Sequence, residues 1–240
     1  MPGLKQILLG ALVASSVGCI CLAANGEAQR IASVPIPVGD TFVSLARASN
    51  GGYLGAIANL SGGSSYKVVK ITSRKRLDPR FGDAGVASPF SGQKNGRFEI
   101  QGMAVSKRGL VATVGYQTRL PEPDGGGYDG RSPVIALLNA KGAPLKTFSR
   151  DGVITSKVPY LPGGDVLHDV VFRPNGGLIV AGARNETHYV DGSGLVKAFN
   201  PDGTEDKSFG HGGQLFLEPR SLAGRSLFDV FSRNLGKDRS

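Results

Sequence analysis

The sequence predicts an all-β fold built from repeated four-stranded antiparallel meanders. Short runs of Val, Leu, Ile and Phe each end at Asn-Gly, Asp-Gly or Gly-Gly, and these dipeptides tolerate the positive φ angles of hairpin turns. Four such runs follow one another between residues 165 and 218. The 240 residues are 40% hydrophobic and include 36 glycines and 14 prolines, so the chain can bury a sizeable core and still supply many tight turns.

A second observation is that the pattern repeats along the chain. The sequence Phe-Gly-Asp-Ala-Gly begins at Phe81, and related sequences begin at Phe148 and Phe209. In the same way, the segment Val43–Gly52 matches His168–Gly177 position by position. Self-similarity at a period of about 60 residues is the signature of a repeat architecture.

This periodicity divides the chain into six segments. They are a signal peptide (residues 1–23), an N-terminal lead (24–40), repeat 1 (41–96), repeat 2 (97–160), repeat 3 (161–220) and a partial repeat 4 (221–240). Repeat 2 contains an inserted loop, Tyr116–Pro133, between its second and third strands. Insertions in a repeat array map to loops on one rim, where binding is commonly housed.

Each meander can bury its apolar face only against a neighbour, so repeats in series predict radial stacking of the β-propeller type. Propellers typically close with about four to eight blades, whereas this chain offers three repeats and the start of a fourth. We therefore expect an incomplete ring. Three arrangements stay open: an open fan, a ring completed by a second copy or another protein, or a fragment of a longer protein with no function of its own.

Three sequences carry a resemblance to a known family. They are the hairpin Asp169–Gly182, the turn Phe199–Thr204 and the element Leu77–Val86. They are similar to the hairpin, the Asn-Pro-Asp-Gly turn and the Phe-Gly element of the delta-60 repeat family, and the resemblance covers roughly residues 41–236. Repeat 2 departs from the family at Ser149, where glycine is usual. The resemblance implies an exported, bacterial, propeller-like protein with no assigned catalytic residues.

The N-terminus predicts export. Lys5 supplies a positive charge, Ile7–Leu22 form an uncharged apolar stretch, and Ala23 ends a plausible cleavage site. An uncleaved membrane anchor and a lipoprotein anchored at Cys19 are the alternatives. Because Cys19 and Cys21 both lie in this segment, no disulfide is expected in the mature chain. The predicted location is extracytoplasmic, either periplasmic or secreted, with no membrane span after cleavage.

The charge of the chain narrows the expected partners. The formal net charge is +9, but the chain contains no Trp and only 7% aromatic residues. A nucleic-acid interface would need basic residues interleaved with stacking aromatics, so nucleic acid is not expected as a partner. For an exported protein, the charge favours anionic cell-surface polymers. The expected partners are such a polymer, an unidentified protein, or a second copy that completes the ring.

Two candidate motifs lie in the inserted loop. Gly125–Gly130 fits the G-x-G-x-x-G spacing, but no strand precedes it and no helix follows it, as dinucleotide binding would require. Glu122, Asp124 and Asp129 have oxygen ligands of the kind that Ca²⁺ prefers. We interpret this segment as a solvated loop without a bound metal or cofactor.

Residues near the start of each repeat include candidates for catalytic chemistry. His168 and Asp169 are adjacent, and adjacent strand residues point to opposite faces, so they are not expected to form a dyad. Asp169 recurs as Asp229, which predicts a structural role such as bonding turn amides. Ser44, Gly102, Asp169 and Asp229 are expected to occupy one equivalent position, and they share little chemistry.

The sequence therefore predicts a binding or scaffolding module rather than an enzyme. No catalytic, cofactor-binding or metal-binding residue is assigned and no cofactor is expected, because no nucleophile, base and orienting group converge. The alternative is a propeller hydrolase or lyase whose axial site is assembled from several blades. Linear motifs do not reveal such a site.

Overall fold

A computed structural model describes residues 40–48, 51–59, 65–90, 93, 97–118, 130–155, 163–186 and 193–217. Within these residues, every regular element is a β-strand, and the predicted all-β fold is confirmed. This part of the chain also contains no helix long and apolar enough to cross a membrane.

The strands lie in three successive groups of four. The first group is β1 (Asp40–Arg47), β2 (Tyr53–Asn59), β3 (Ser65–Ile71) and β4 (Val86–Ala87). The second group is β5 (Arg97–Val105), β6 (Val111–Thr118), β7 (Gly130–Leu138) and β8 (Val153–Ile154). The third group is β9 (Gly163–Phe172), β10 (Leu178–Glu186), β11 (Ser193–Phe199) and β12 (Gln214–Leu217).

Consecutive strands of each group pair in the antiparallel sense. The first group forms a separate sheet, and the second and third groups join in an eight-stranded sheet. Their junction is a short parallel pairing, in which Gly130 and Arg131 of β7 lie opposite Gly163 and Gly164 of β9. The sequence did not predict this parallel contact. Neither sheet closes on itself within the described residues.

The first hairpin of each repeat closes with the same turn. A glycine occupies the position of positive φ each time, because a left-handed backbone is costly for residues with a Cβ: Gly51 (φ 82°), Gly109 (φ 77°) and Gly176 (φ 87°). Across each turn a backbone N–H donates to the carbonyl four residues later: Ala48 to Gly52, Ser106 to Leu110 and Arg173 to Gly177. The predicted match between the first and third hairpins is confirmed in these turn residues.

A β-bulge interrupts the first strand of every repeat. The extra residues are Val43, Gln101 and His168. The residues that follow them are Ser44, Gly102 and Asp169, which pair with Ala56, Val114 and Ala181. The predicted equivalence of Ser44, Gly102 and Asp169 is confirmed, and Asp229 lies outside the described residues.

The hydrophobic core lies between successive repeats. One cluster joins repeats 1 and 2 and includes Leu54, Val68, Phe81, Ile100 and Leu138. A second cluster joins repeats 2 and 3 and includes Val114, Ile135, Phe148, Leu167 and Leu178. Each repeat thus buries apolar side chains against its neighbour, as the periodicity predicted.

The inserted loop of repeat 2 is shorter at both ends than the sequence predicted. Tyr116–Thr118 extend β6 and Gly130–Pro133 begin β7, and Arg131–Pro133 pair with Tyr116–Thr118. Residues 119–129, which include Glu122, Asp124 and Asp129, lie outside the described residues. The corresponding connections in repeats 1 and 3 are the shorter segments 60–64 and 187–192.

Thr113 places a buried hydroxyl in the core. Its side chain is fully buried in β6, and its Oγ1 has no hydrogen-bond partner within the described residues. A buried polar group without a partner costs about 1–3 kcal/mol. The register places Val180 of β10 at the equivalent position, and that side chain is also fully buried.

We therefore expect Thr113→Val to raise the free energy of unfolding by about 1 kcal/mol. The measurement is urea denaturation, in which the midpoint should rise while the slope stays constant. Thr147→Val at an exposed turn is the matched control, with an expected change within about 0.5 kcal/mol. A lower midpoint for Thr113→Val would contradict the interpretation.

Candidate functional site

His168 and Asp169 of β9 are both exposed. The predicted alternation between opposite faces does not hold here, because His168 is the extra residue of the bulge and a bulge interrupts the alternation. The equivalent extra residues Val43 and Gln101 are also exposed. The bulges thus present three chemically different side chains at equivalent places.

Asp169 has a structural hydrogen bond, but not to a turn. Its Oδ1 accepts a hydrogen bond of 2.8 Å from the N–H of Val170, the next residue of the same strand. The hydrogen bond fits the predicted structural role, but its partner is a strand amide and not the predicted turn amide. Although Asp169 contacts solvent, desolvation by the surrounding protein raises its pKa, and the hydrogen bond from Val170 opposes this rise only in part.

Gly102 brings β5 into close contact with β9. A Cβ atom on Gly102 would lie 2.4 Å from the carbonyl oxygen of His168 and 3.0 Å from the Cα of Asp169. Atoms do not approach so closely without displacement, so the position requires glycine. Of the equivalent residues Ser44, Gly102 and Asp169, Gly102 therefore makes a backbone contact between repeats and has no side chain that could contact a substrate.

A polar cluster links repeats 1 and 2 near the base of the longer hairpin. It consists of Tyr66, Glu99, Tyr116 and Arg131, and we call it the Glu99 cluster. The hydroxyl of Tyr116 donates a hydrogen bond of 2.5 Å to Oε2 of Glu99, and the hydroxyl of Tyr66 also hydrogen-bonds to Glu99. The guanidinium carbon of Arg131 lies 4.9 Å from the centre of the Tyr116 ring, within cation–π range.

Both tyrosines of the Glu99 cluster are held in the neutral form. Burial, followed by the negative charge of Glu99 and its hydrogen bond, raises the pKa of Tyr66 to about 12. Burial and then the hydrogen bond and charge of Glu99 raise the pKa of Tyr116, although the charge of Arg131 opposes this. Near neutral pH these phenols donate hydrogen bonds to Glu99 and do not act as bases, so the described arrangement favours a structural role.

No sequence motif predicts the Glu99 cluster, because its members come from four different strands. One signal was present in the comparison of repeats. Tyr116 stands where the other repeats have alanine, and Glu99 stands where they have an uncharged residue: Ala58 and Ala183 for Tyr116, and Thr41 and Val166 for Glu99. A polar residue at a position that is small or uncharged in the other repeats indicates a local specialisation.

The other candidate motifs do not gather ligands in the described part of the chain. That part contains no group of three or more His, Cys, Asp and Glu side chains that could hold a metal ion. Gly130, the last glycine of the G-x-G-x-x-G match, begins strand β7 and not a helix. Its preceding residues lie outside the described ranges.

Comparison with known proteins finds remote structural likenesses. No protein-family model and no curated protein matches the chain. An endo-1,4-β-xylanase from Bacteroides thetaiotaomicron has a similar structure, with 12% identity and a TM-score of 0.35, covering 75% of this chain and 57% of that one. A protein of unknown function from Bacteroides caccae matches with 10% identity and a TM-score of 0.30, covering 80% of this chain and 69% of that one. Neither likeness carries a functional argument.

The close contact at Gly102 predicts a large effect of a small substitution. We expect Gly102→Ala to lower the free energy of unfolding by about 1–3 kcal/mol, because the methyl group would force β5 away from β9. Ser44→Ala at the equivalent position of repeat 1 is the matched control, with an expected change within about 0.5 kcal/mol. Equal urea midpoints for the two variants would show that β5 and β9 do not approach as described.

The Glu99 cluster predicts a loss of stability in alkaline solution. The pKa of Tyr66 is about 12 in the folded chain, above its ordinary value of 10.0. The stability that the protonated phenol contributes is fully present below pH 10 and is lost as the pH rises to about 12, because the unfolded state releases the proton first. We expect a smaller loss in Glu99→Gln, since removing the negative charge lowers the pKa of both tyrosines.

The measurement is a tyrosinate absorbance titration combined with urea denaturation across this pH window. Tyr66→Phe is the control, because it removes one titrating phenol and leaves Glu99 in place. Identical titration curves for the wild type and Glu99→Gln would show that Glu99 does not control the two phenols.

Proposed function

We propose that this chain is an exported repeat protein of the delta-60 type that acts as a binding or scaffolding module and not as an enzyme. The observation that carries the proposal is the use of polar side chains between repeats. Glu99 joins Tyr66 of repeat 1 to Tyr116 of repeat 2, and Gly102 contributes no side chain. A catalytic site needs polar groups that reach a substrate, whereas a scaffold uses them to fix one repeat on the next.

The proposed architecture is an array of blades stacked as in a propeller. The first strands support this, because β1 packs against β5 and β5 packs against β9. The fourth strands lie at the far edge of each group, where, within the described residues, β4 pairs only with β3 and β8 only with β7. Successive first strands would then line an axis, as in radial repeats.

The proposed ligand surface is the rim at the β6–β7 hairpin, which carries residues 119–129. Arg131 on the Tyr116 ring fixes the base of this hairpin, and binding loops are commonly held by such a rigid scaffold. The net charge of +9 favours an anionic partner. The proposed ligand is therefore an anionic cell-surface polymer, with the rim giving contact and the overall charge giving long-range attraction.

A loop exchange tests this proposal. Residues 119–129 are replaced by residues 60–64, the shorter connection of the equivalent hairpin in repeat 1. We expect thermal unfolding to change little, because the paired residues Tyr116–Thr118 and Arg131–Pro133 are retained. Cosedimentation with purified peptidoglycan should weaken at least about tenfold, which corresponds to about 1.4 kcal/mol.

The matched control replaces residues 187–192 of repeat 3 by the same segment and should keep the binding. Binding should also weaken as the salt concentration rises, since exposed charges are screened. If both exchanged chains bind as the wild type does, the rim is not the ligand surface. If the wild type degrades the polymer and His168→Ala does not, the chain is an enzyme and the proposal fails.

A further inference from the structure

The same backbone hydrogen bond joins repeat 1 to repeat 2 and repeat 2 to repeat 3, and we call it the docking contact. The N–H of Gly82 donates to the carbonyl of Lys141 at 2.7 Å, and the N–H of Ser149 donates to the carbonyl of Asp202 at 2.8 Å. In each case the donor follows a phenylalanine, Phe81 or Phe148, that is fully buried. The acceptor lies in the turn between the third and fourth strands of the next repeat.

In repeat 3, Gly210 stands at the position of the donor in the docking contact and has the same backbone conformation. The φ angle of Gly210 is 54°, against 58° at Gly82 and 50° at Ser149. Within the described residues, no backbone carbonyl accepts a hydrogen bond from Gly210. Phe209 is partly exposed, unlike its two equivalents, and Leu215 beside it is 44% exposed. We call Phe209, Gly210 and Leu215 the Phe209 face.

The Phe209 face is held in place by its own turn. The carboxylate of Asp206 accepts hydrogen bonds from the N–H of Ser208 at 3.0 Å, from its hydroxyl at 2.6 Å and from Nη1 of Arg173 at 2.6 Å. These hydrogen bonds, first that of the Ser208 hydroxyl, lower the pKa of Asp206 to about 2. The face is therefore preorganised, which lowers the cost of docking.

The docking turn requires glycine. Gly142 and Gly203 occupy its left-handed position, with φ angles of 82° and 88°. A Cβ on Gly142 would lie 2.8 Å from the amide nitrogen of Gly82, and a Cβ on Gly203 would lie 3.0 Å from the amide nitrogen of Ser149. Any other residue would push the two repeats apart at the hydrogen bond that joins them.

Repeat 1 carries lysine at this position. Lys75 has a φ of 62°, so the turn keeps its shape, but its Cβ stands where the docked turns have none. Its neighbours Arg74 and Arg76 are exposed, as is Lys75 itself. The first repeat of a second copy therefore does not fit on the Phe209 face in the way that repeats 2 and 3 fit on their neighbours.

The spacing of the repeats places the glycine that would dock on the Phe209 face outside the described array. In the two observed contacts, the glycine of the docking turn comes at a similar distance after the fourth strand of the preceding repeat. Gly142 follows Ala87 of β4, and Gly203 follows the equivalent residue Ile154 of β8. Counted from the equivalent residue Leu215, either separation places the glycine beyond residue 240. The turn must come from a repeat outside the described array.

We propose that the Phe209 face docks a further repeat of this type, one with glycine at the left-handed position of its turn, and that Lys75 prevents the first repeat of a second copy from taking this place. The occupant covers the Phe209 ring and accepts the hydrogen bond from Gly210. This extends the scaffolding part of the proposed function to a second surface. It does not depend on polymer binding, and its test uses no polymer.

The test uses variants of the full chain as the two halves of the contact. Lys75→Gly supplies a glycine turn, and Leu215→Glu blocks the Phe209 face with a charge. The double variant Lys75→Gly/Leu215→Glu therefore offers only the turn, and the wild type offers only the face. In sedimentation velocity we expect each to be monomeric alone and the mixture to form a one-to-one complex.

The matched control is Lys75→Ala/Leu215→Glu, which also lacks the lysine charge but keeps a Cβ. We expect its association with the wild type to be at least about tenfold weaker, a difference of about 1.4 kcal/mol. The proposal is overturned if the glycine variant forms no complex although it unfolds cooperatively, or if the alanine variant binds equally well. It is also overturned if the wild type self-associates through a contact that Leu215→Glu abolishes.

Discussion

Close backbone contact between successive repeats is the constraint on which the rest of this structure depends. Gly142 lies against the amide of Gly82, Gly203 against that of Ser149, and Gly102 against β9. At each contact a methyl group would approach a backbone atom within 3.0 Å or less. Because Gly142 and Gly203 have no side chain, the N–H groups of Gly82 and Ser149 each reach a carbonyl of the next repeat. The phenylalanine that precedes each donor is buried.

This constraint explains why the core lies between repeats and why the two ends of the array differ. Stability in such an array is approximately a sum of repeat and nearest-neighbour terms. At the first end, Ile57, Val69 and Ile71 are buried within a small cluster that Phe42 and Leu77 help to cover. The other end carries the Phe209 face. A contact between unlike ends is heterologous, and it forms a closed ring only if the rotation per repeat permits closure.

The features that depend on local chemistry could be predicted from the sequence. Gly51, Gly109 and Gly176 predicted the hairpin turns, because tolerance of a positive φ is a property of the single residue. The bulge at His168 could not be predicted, since the apolar run around it has no strict alternation that an extra residue would visibly interrupt. The conformation of Ser149 could not be predicted from its residue type either. It has the positive φ of a glycine, 50°, because the hydrogen bond to Asp202 and the neighbouring packing determine the backbone there. The Glu99 cluster is tertiary, and only the pairing of four strands brings its members together.

The departures from the repeat pattern are concentrated in repeat 2, and this concentration has a physical meaning. Repeat 2 has Thr113 where the other repeats have Gly55 and Val180, and it has Tyr116 where they have alanine. Each change brings a polar group into a region that is apolar or small elsewhere, and such groups cost stability unless they are paired.

Glu99 pairs one of these groups by accepting a hydrogen bond from Tyr116, and it accepts another from Tyr66 of repeat 1. The hydroxyl of Thr113 has no partner within the described residues. Sequences that break a local rule do so most often where function requires it. The broken rules lie in the same hairpin that carries the longer connection, residues 119–129. Under the proposed binding function, repeats 1 and 3 would form a rigid frame on either side, and the specialised hairpin of repeat 2 would determine specificity.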